Sequence, residues 1–208
     1  MPVIDPSTAL PESRVMSHYT LIILAGGAGR RMGGADKGLL PWHGQPVVQH
    51  LLQRFNDASQ HLLVVNRHLA EYRALAAPFG AQVLQDQSEA LLGPLAGLQA
   101  ALSAARCAQC VLLPCDMPRL PATLPRQLCA ARLDTADIAV LHDGQRLQPL
   151  CMALDSGYWQ QNLDSWLNDR DRSVHGWLRD KPIRPVQCNE AARDAFANLN
   201  YPDEWTSG

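Results

Sequence analysis

Leu21-Ile-Ile-Leu-Ala-Gly-Gly-Ala-Gly-Arg-Arg-Met-Gly-Gly-Ala-Asp-Lys37 is the stretch on which the fold turns. An apolar run gives way at once to a loop carrying five glycines, two arginines, an aspartate and a lysine. Residues Tyr19–Ala25 lack the apolar–polar alternation of a half-buried strand, so they predict a strand buried on both faces, as in a parallel sheet covered by helices. Sheets of that kind take their ligands outside the carboxyl ends of the strands, which is where this loop begins. Its glycines let successive backbone N–H groups turn toward one anion. Arg30, Arg31 and Lys37 add positive charge, the arginines as bidentate forks and the lysine as a compact point. The loop therefore reads as a phosphate cradle. It is not a Walker loop, because Lys37 follows Asp36 instead of a glycine and precedes Gly38 instead of Ser or Thr. Nor is it a dinucleotide fingerprint, because Gly27-Ala28-Gly29 runs into Arg30, Arg31 and Met32.

Working outward, apolar β-rich runs alternate with helical patterns, which favours a three-layer α/β architecture with a mostly parallel sheet. Pro46–Phe55 carries Val47, Val48, Leu51, Leu52 and Phe55 on one helical stripe. His61–Asn66 predicts a second strand, His68–Ala77 a helix and Gln82–Gln85 a short third strand. Leu95, Leu98, Leu102 and Ala105 mark another helix, and Cys110–Cys115 another buried strand. Ile138–His142 and Leu147–Leu154 flank Asp143-Gly144, a dipeptide favoured in tight hairpins, and predict an antiparallel addition to the sheet. Tyr158–Asn168 and Val174–Asp180 read as helices, and Ile183–Gln187 as a last strand. Residues 18–208 show no internal repeat or linker and are expected to form a single domain. The first seventeen residues contain three prolines and read as a disordered extension.

Composition narrows the function. With a net charge of −2, broad binding of nucleic acid is not expected. No run of about 18 apolar residues suits a membrane span, and the expected compartment is the cytoplasm. Six scattered cysteines fit buried free thiols there. Cys107 and Cys110 form one CxxC without the second half-site that a zinc finger needs.

Other residues stand out chemically. Asp116 follows the apolar strand and lies between Pro114 and Pro118. A carboxylate there is suited to Mg²⁺, which takes oxygen ligands and bridges substrate phosphates, or to an ordinary turn. Asn66 can present its amide to a base or cap the helix beginning near His68. Gly93-Pro94-Leu95-Ala96-Gly97 opens a helix whose free N–H groups offer polar partners and whose glycines permit close approach of a base or ribose.

Together these segments resemble a family. LAGG, three residues, RMG and then a lysine is the signature of nucleotidyltransferases that activate sugars and cofactors. In detail, Leu24 to Gly38 is similar to the molybdenum cofactor guanylyltransferases. The resemblance continues through Asn66-Arg67-His68, Asp86, Gly93–Gly97, Pro114-Cys115-Asp116-Met117-Pro118 and Asn198-Leu199-Asn200, in the family's order. It implies a Rossmann-like nucleotidyltransferase fold and transfer of GMP from GTP to molybdopterin, with pyrophosphate released. It implies GTP contacts at Leu24, Ala25, Gly26, Gly27, Lys37, Asn66, Asp86, Gly93, Pro94, Leu95, Gly97 and Asp116, with Mg²⁺ on Asp116. Arg30, Arg31, Lys37 and Asp116 would be the catalytic set, and Asn198 and Asn200 would lie on the pterin side. Arg170, Arg172 and His175 read as a solvated face, with contact to the acidic pterin phosphate as the alternative. Molybdenum-insertion proteins and redox-enzyme chaperones are the partners the resemblance implies. Competing readings are a cytidylyltransferase, for which LAAG would replace LAGG, a sugar-phosphate nucleotidyltransferase, and a noncatalytic nucleotide-binding partner.

Overall fold

The computed structural model describes residues 3–4, 18–25, 35–85, 93–168, 173–188 and 194–199. Its strands are β1 (Val3–Ile4), β2 (Tyr19–Leu24), β3 (Pro41–Trp42), β4 (Gln45–Pro46), β5 (Gln60–Val65), β6 (Gln82–Gln85), β7 (Gln109–Pro114), β8 (Ile138–His142), β9 (Leu147–Asp155) and β10 (Ile183–Cys188). Its helices are α1 (Val47–Arg54), α2 (Leu69–Ala76), α3 (Pro94–Ala104), α4 (Leu124–Ala131), α5 (Ser156–Asn168) and α6 (Val174–Leu178). Eight strands form one sheet in the order β1-β10-β8-β9-β7-β2-β5-β6.

All six residues of β2 are buried, because the sheet has an apolar layer on each face. Leu21 and Ile23 point into a core shared with α1, α2 and α4, and Ile22 and Leu24 into one shared with α3, α5 and α6. That two-sided burial is why the strand is continuously apolar instead of alternating. β2 pairs in parallel with both β5 and β7, so the ends of three strands converge where the glycine-rich loop departs.

The antiparallel element expected from residues 138–154 is present as the β8–β9 pair. β9 is no appendage: it lies inside the sheet, antiparallel to β7 on one side and to β8 on the other. Cys151, Met152, Ala153 and Leu154 are fully buried, and a strand so apolar is stable only with both edges paired and both faces covered. Asp143-Gly144 does not make a two-residue turn either. The connection runs from 143 to 146, closed by Asp143 N donating to Arg146 O at 3.1 Å. The two-residue hairpin is instead His43-Gly44 between β3 and β4, where both residues have positive φ, 48° and 81°.

Helix α4 escaped the sequence reading. Leu124, Pro125, Leu128 and Cys129 form its buried face, but a single short stripe amid four prolines is a weak periodic signal. Val3–Ile4, within the segment expected to be disordered, pairs in parallel with β10; the rest of 1–17 lies outside the described residues. No helix among the described residues is long and apolar enough to cross a membrane.

Candidate active site

Three strand ends are pinned together first. Ala25 N donates to Val64 O at 2.9 Å and Cys115 N to Leu24 O at 3.0 Å, which extends the β2–β5 and β2–β7 ladders by one bond each. Ala25, Asn66 and Asp116 therefore follow three adjacent parallel strands.

Lys37 returns to this edge on a one-turn 3₁₀ helix, Lys37–Leu39. Asp36 caps that turn by accepting from Gly38 N at 3.2 Å. The same carboxylate, nearly buried, accepts from the Tyr72 hydroxyl and lies 3.4 Å from Arg67 Nε. Burial first, and then the hydrogen bond to Asp36, push the Tyr72 hydroxyl well above its ordinary range, so it remains a donor. Position 38 must be glycine: a Cβ there would stand 2.2 Å from Tyr72 Oη and 3.1 Å from Ala25 Cβ. This Asp36–Tyr72–Arg67 brace was missed, since no spacing rule links residues on a loop, a helix and a strand end.

The brace sets Lys37 against Asp116. Lys37 Nζ donates to Asp116 Oδ2 at 2.9 Å and to the Leu199 carbonyl at 3.1 Å. Leu199 N donates in turn to Asp116 O at 2.8 Å, closing a triangle of three distant segments. Phe196 and Leu199, each 2% exposed, anchor the third segment in the core. Lys37 and Asp116 stay about one-fifth exposed, at 22% and 21%, so the pair faces outward. Lys37, expected to face phosphate, is thus ion-paired to the expected metal carboxylate in this structure.

The remaining positions divide. Asn66 does not cap α2, whose N-cap is His68 at φ 55°. Its Oδ1 is buried with no hydrogen-bond partner among the described residues, an acceptor left over for a ligand. Gly93 has φ 74° and Pro94 takes the first turn of α3, so the helix starts with its N–H groups uncapped by a side chain. Leu95 is fully buried, and a Cβ at Gly97 would come within 3.1 Å of Val64 Cγ1 and 3.2 Å of Leu24 Cδ2. Gly97 thus serves close packing of α3 on the sheet, so the close approach expected there is to β2 and β5. Leu24 likewise turns its side chain into that core. Gly26, Gly27, Arg30, Arg31, Asp86, Arg170, Arg172 and Asn200 lie outside the described residues.

Beyond Asp116 a cavity of about 230 Å³ opens between β7 and β9, lined by Asp116, Met117, Arg146, Gln148, His175 and Asn198 among others. His175 therefore borders a concave site and not simply a solvated face. Burial pushes the thiols of Cys115 and Cys151 far upward and those of Cys110 and Cys129 up to about 12, which keeps these four protonated near neutral pH. No cluster of three His, Cys, Asp or Glu side chains exists among the described residues.

A mostly parallel sheet that brings Lys37 and Asp116 together at its carboxyl edge, with the glycine-rich segment of the sequence following β2, is the arrangement of a nucleotide-handling α/β enzyme. The chain belongs to the MobA-like NTP transferase domain family, which matches residues 21–186. It is 34% identical over 185 residues to the molybdenum cofactor guanylyltransferase of Shewanella sediminis, covering 88% of this chain and 91% of that one. With its counterpart in Shewanella putrefaciens the identity is 35% over 189 residues, 90% of this chain and 94% of that one. Among solved structures, molybdopterin-guanine dinucleotide biosynthesis protein A from Archaeoglobus fulgidus superposes with a TM-score of 0.71 at 20% identity. That match covers 89% of this chain and 94% of the other.

Proposed function

We propose that this chain transfers GMP from GTP to the terminal phosphate of molybdopterin, releasing pyrophosphate, and that it does so in the cytoplasm as one domain spanning 18–208. The observation that carries this reading is the meeting of Lys37, Asp116 and the Asn198–Leu199 segment at the strand ends. It joins the loop expected to bind nucleotide to the segment expected to bind the pterin.

The acceptor phosphate is already ionised near neutral pH, so the reaction needs no strong general base. The obstacle is bringing two polyanions together, and positioning with fixed positive charge addresses it. Lys37 contributes a point charge at the junction. Gly26–Gly29, Arg30 and Arg31 supply the anion nest and bidentate contacts in this reading. Asn66 Oδ1, buried and unbonded among the described residues, accepts from an N–H of guanine, while the N–H groups of Gly93 and Leu95 meet its acceptor edge. Asp86 contacts the nucleotide, and Asn198 and Asn200 the pterin.

Asp116 fits Mg²⁺: it is a partly exposed hard-oxygen donor at a strand end, and Mg²⁺ commonly takes only one or two carboxylates, with phosphates and water completing its shell. When bound, Mg²⁺ neutralises phosphate charge. Asp116's own part is to hold that charge beside Lys37 and between the two substrates.

The test is competitive turnover with equal GTP, ATP and CTP, Mg²⁺ and molybdopterin, followed by product identification. Each unpaired buried group costs about 1–3 kcal/mol, so two mismatches predict guanine selection of roughly a hundredfold at ~1.4 kcal/mol per decade. Comparable cytidine incorporation overturns the guanine assignment. Absence of pyrophosphate with every nucleotide overturns the enzymatic one.

A further inference from the structure

The cavity beside Asp116 has a division of labour that the reaction alone does not dictate. Its wall is apolar, built from Pro114, Met117, Leu147, Pro149, Leu150 and Cys151. Its polar lining is Asp116, Arg146, Gln148, His175 and Asn198. Asp116 already carries Lys37, whereas the guanidinium of Arg146 has no carboxylate within 4 Å among the described residues and feels Asp143 only as a more distant charge.

The turn that presents Arg146 is built rather than loose. Asp143 Oδ1 accepts from both Gln145 N and Arg146 N at 2.8 Å, and Asp143 Oδ2 accepts from Gln148 Nε2. Gly144 N donates to His142 Nδ1 at 3.1 Å, with Gly144 at φ 93°. One carboxylate thus sets the path of the loop and also orients a second lining residue, Gln148. These bonds fix the backbone from which the Arg146 side chain extends, so the loop itself has little conformational entropy left to lose when the guanidinium grips an anion.

We propose that Arg146, aided by His175 across the cavity, binds the phosphate of the acceptor, and that Asp143 is the positioning residue that presents Arg146. The apolar wall then takes the flat ring system of the acceptor. At about 230 Å³ the cavity lies below the ~300–1,000 Å³ usual for whole ligands, which suits one ring system better than a second nucleotide. This assignment rests on the transfer reaction proposed above and specifies which residues select its acceptor.

The experiment measures binding of molybdopterin without nucleotide, by fluorescence, alongside GTP binding and steady-state turnover, in the full chain and in Arg146→Ala, Arg146→Lys, His175→Ala and Asp143→Asn. A charge-assisted contact to phosphate predicts an acceptor Kd and KM raised about ten- to a hundredfold in Arg146→Ala. Arg146→Lys should recover part of that loss. Asp143→Asn should also raise KM for the acceptor, while the KM for GTP stays unchanged in every variant. His175→Ala should show a smaller increase. Unchanged GTP affinity reports that each variant is folded. If wild type transfers GMP to molybdopterin while Arg146→Ala binds the acceptor normally, the inference is wrong and the reaction assignment stands. If wild type transfers instead to a different phosphate-bearing acceptor with the same Arg146 dependence, the inference stands and the acceptor assignment falls. If wild type binds no phosphorylated acceptor, both fall.

Discussion

Asp116 and Asp137 are aspartates at opposite ends of neighbouring parts of one sheet, and their surroundings differ in kind. Asp137 precedes β8 and is 4% exposed. Its Oδ2 accepts from Leu133 N at 3.0 Å and Asp134 N at 3.1 Å, and Arg184 Nε lies 3.0 Å away. Asp116 follows β7, is about one-fifth exposed, and borders a cavity with Lys37 as its side-chain partner. A carboxylate surrounded by its own chain's donors has spent its hydrogen-bonding capacity on the fold. One left facing a cavity keeps that capacity for a ligand. The amino ends of these strands are therefore built for stability, and the carboxyl ends for chemistry.

The sharpest way to break the contrast is to remove each aspartate. Asp116→Ala should lower kcat by about a hundredfold or more, the scale seen when one preorganised electrostatic partner of a reacting charge is lost. Its melting temperature should remain within a few degrees of wild type. Normal turnover at saturating GTP would show that Asp116 holds neither metal nor phosphate charge.

Lys37→Ala should reduce kcat/KM for GTP by about ten- to a hundredfold, from the loss of one charge-assisted contact. It also removes the cation that anchors Leu199 O, so a parallel rise in KM for the acceptor is expected. Unchanged kinetics for both substrates would reduce the pair to a surface ion pair of little consequence.

Asp137→Ala should do the reverse: near-normal kcat with stability lowered by about 1–3 kcal/mol, because two backbone N–H groups lose their acceptor. Chemical denaturation measures it, and a loss of activity in the folded variant would contradict the contrast.

The smallest effect is on pH. Burial alone would raise the Asp137 pKa, but hydrogen bonds from Leu133 N and Arg184, with the charge of Arg184 and the bond from Asp134 N, outweigh it and hold the group below its ordinary value. Asp143 is held low against burial by Arg146 N, Gln145 N and Gln148, with the charge of Arg146. A depressed folded pKa contributes stability that is present above the unfolded value, about 3.9, and lost as pH falls through the folded one. Wild type should therefore lose stability below about pH 4, and Asp137→Ala should show a flatter acid limb in the same window. Equal slopes would show that Asp137 is not the linked group.

How far these features could be read in advance depended on whether their signal was local. Tyr19–Leu24 and Gln82–Gln85 carry their strand character in consecutive residues, and helix α1 in one apolar stripe, so all three were legible. Helix α4 was not, because its buried face spans barely two turns and is interrupted by proline. The hairpin preference of Asp143-Gly144 was a real local signal that tertiary pairing overrode. The four-residue connection pairs His142 with Leu147, and a register shift between Val140 and Leu141 then brings Met152 and Ala153 opposite β8 while they also pair with β7.

The amino-acid sequence by itself determined the alternation of buried strands and helices, the cationic glycine loop at a strand's end, and the motifs that place the chain in its family. These depend on neighbours along the chain, where periodicity and turn chemistry act. Only the tertiary structure decided that Lys37 meets Asp116 and Leu199, that Asp36, Tyr72 and Arg67 brace that meeting, and that Arg146 and His175 share a cavity with Asp116. Residues 162 positions apart come within 3.1 Å because apolar layers on both faces of the sheet close around them, and no local preference encodes that distance.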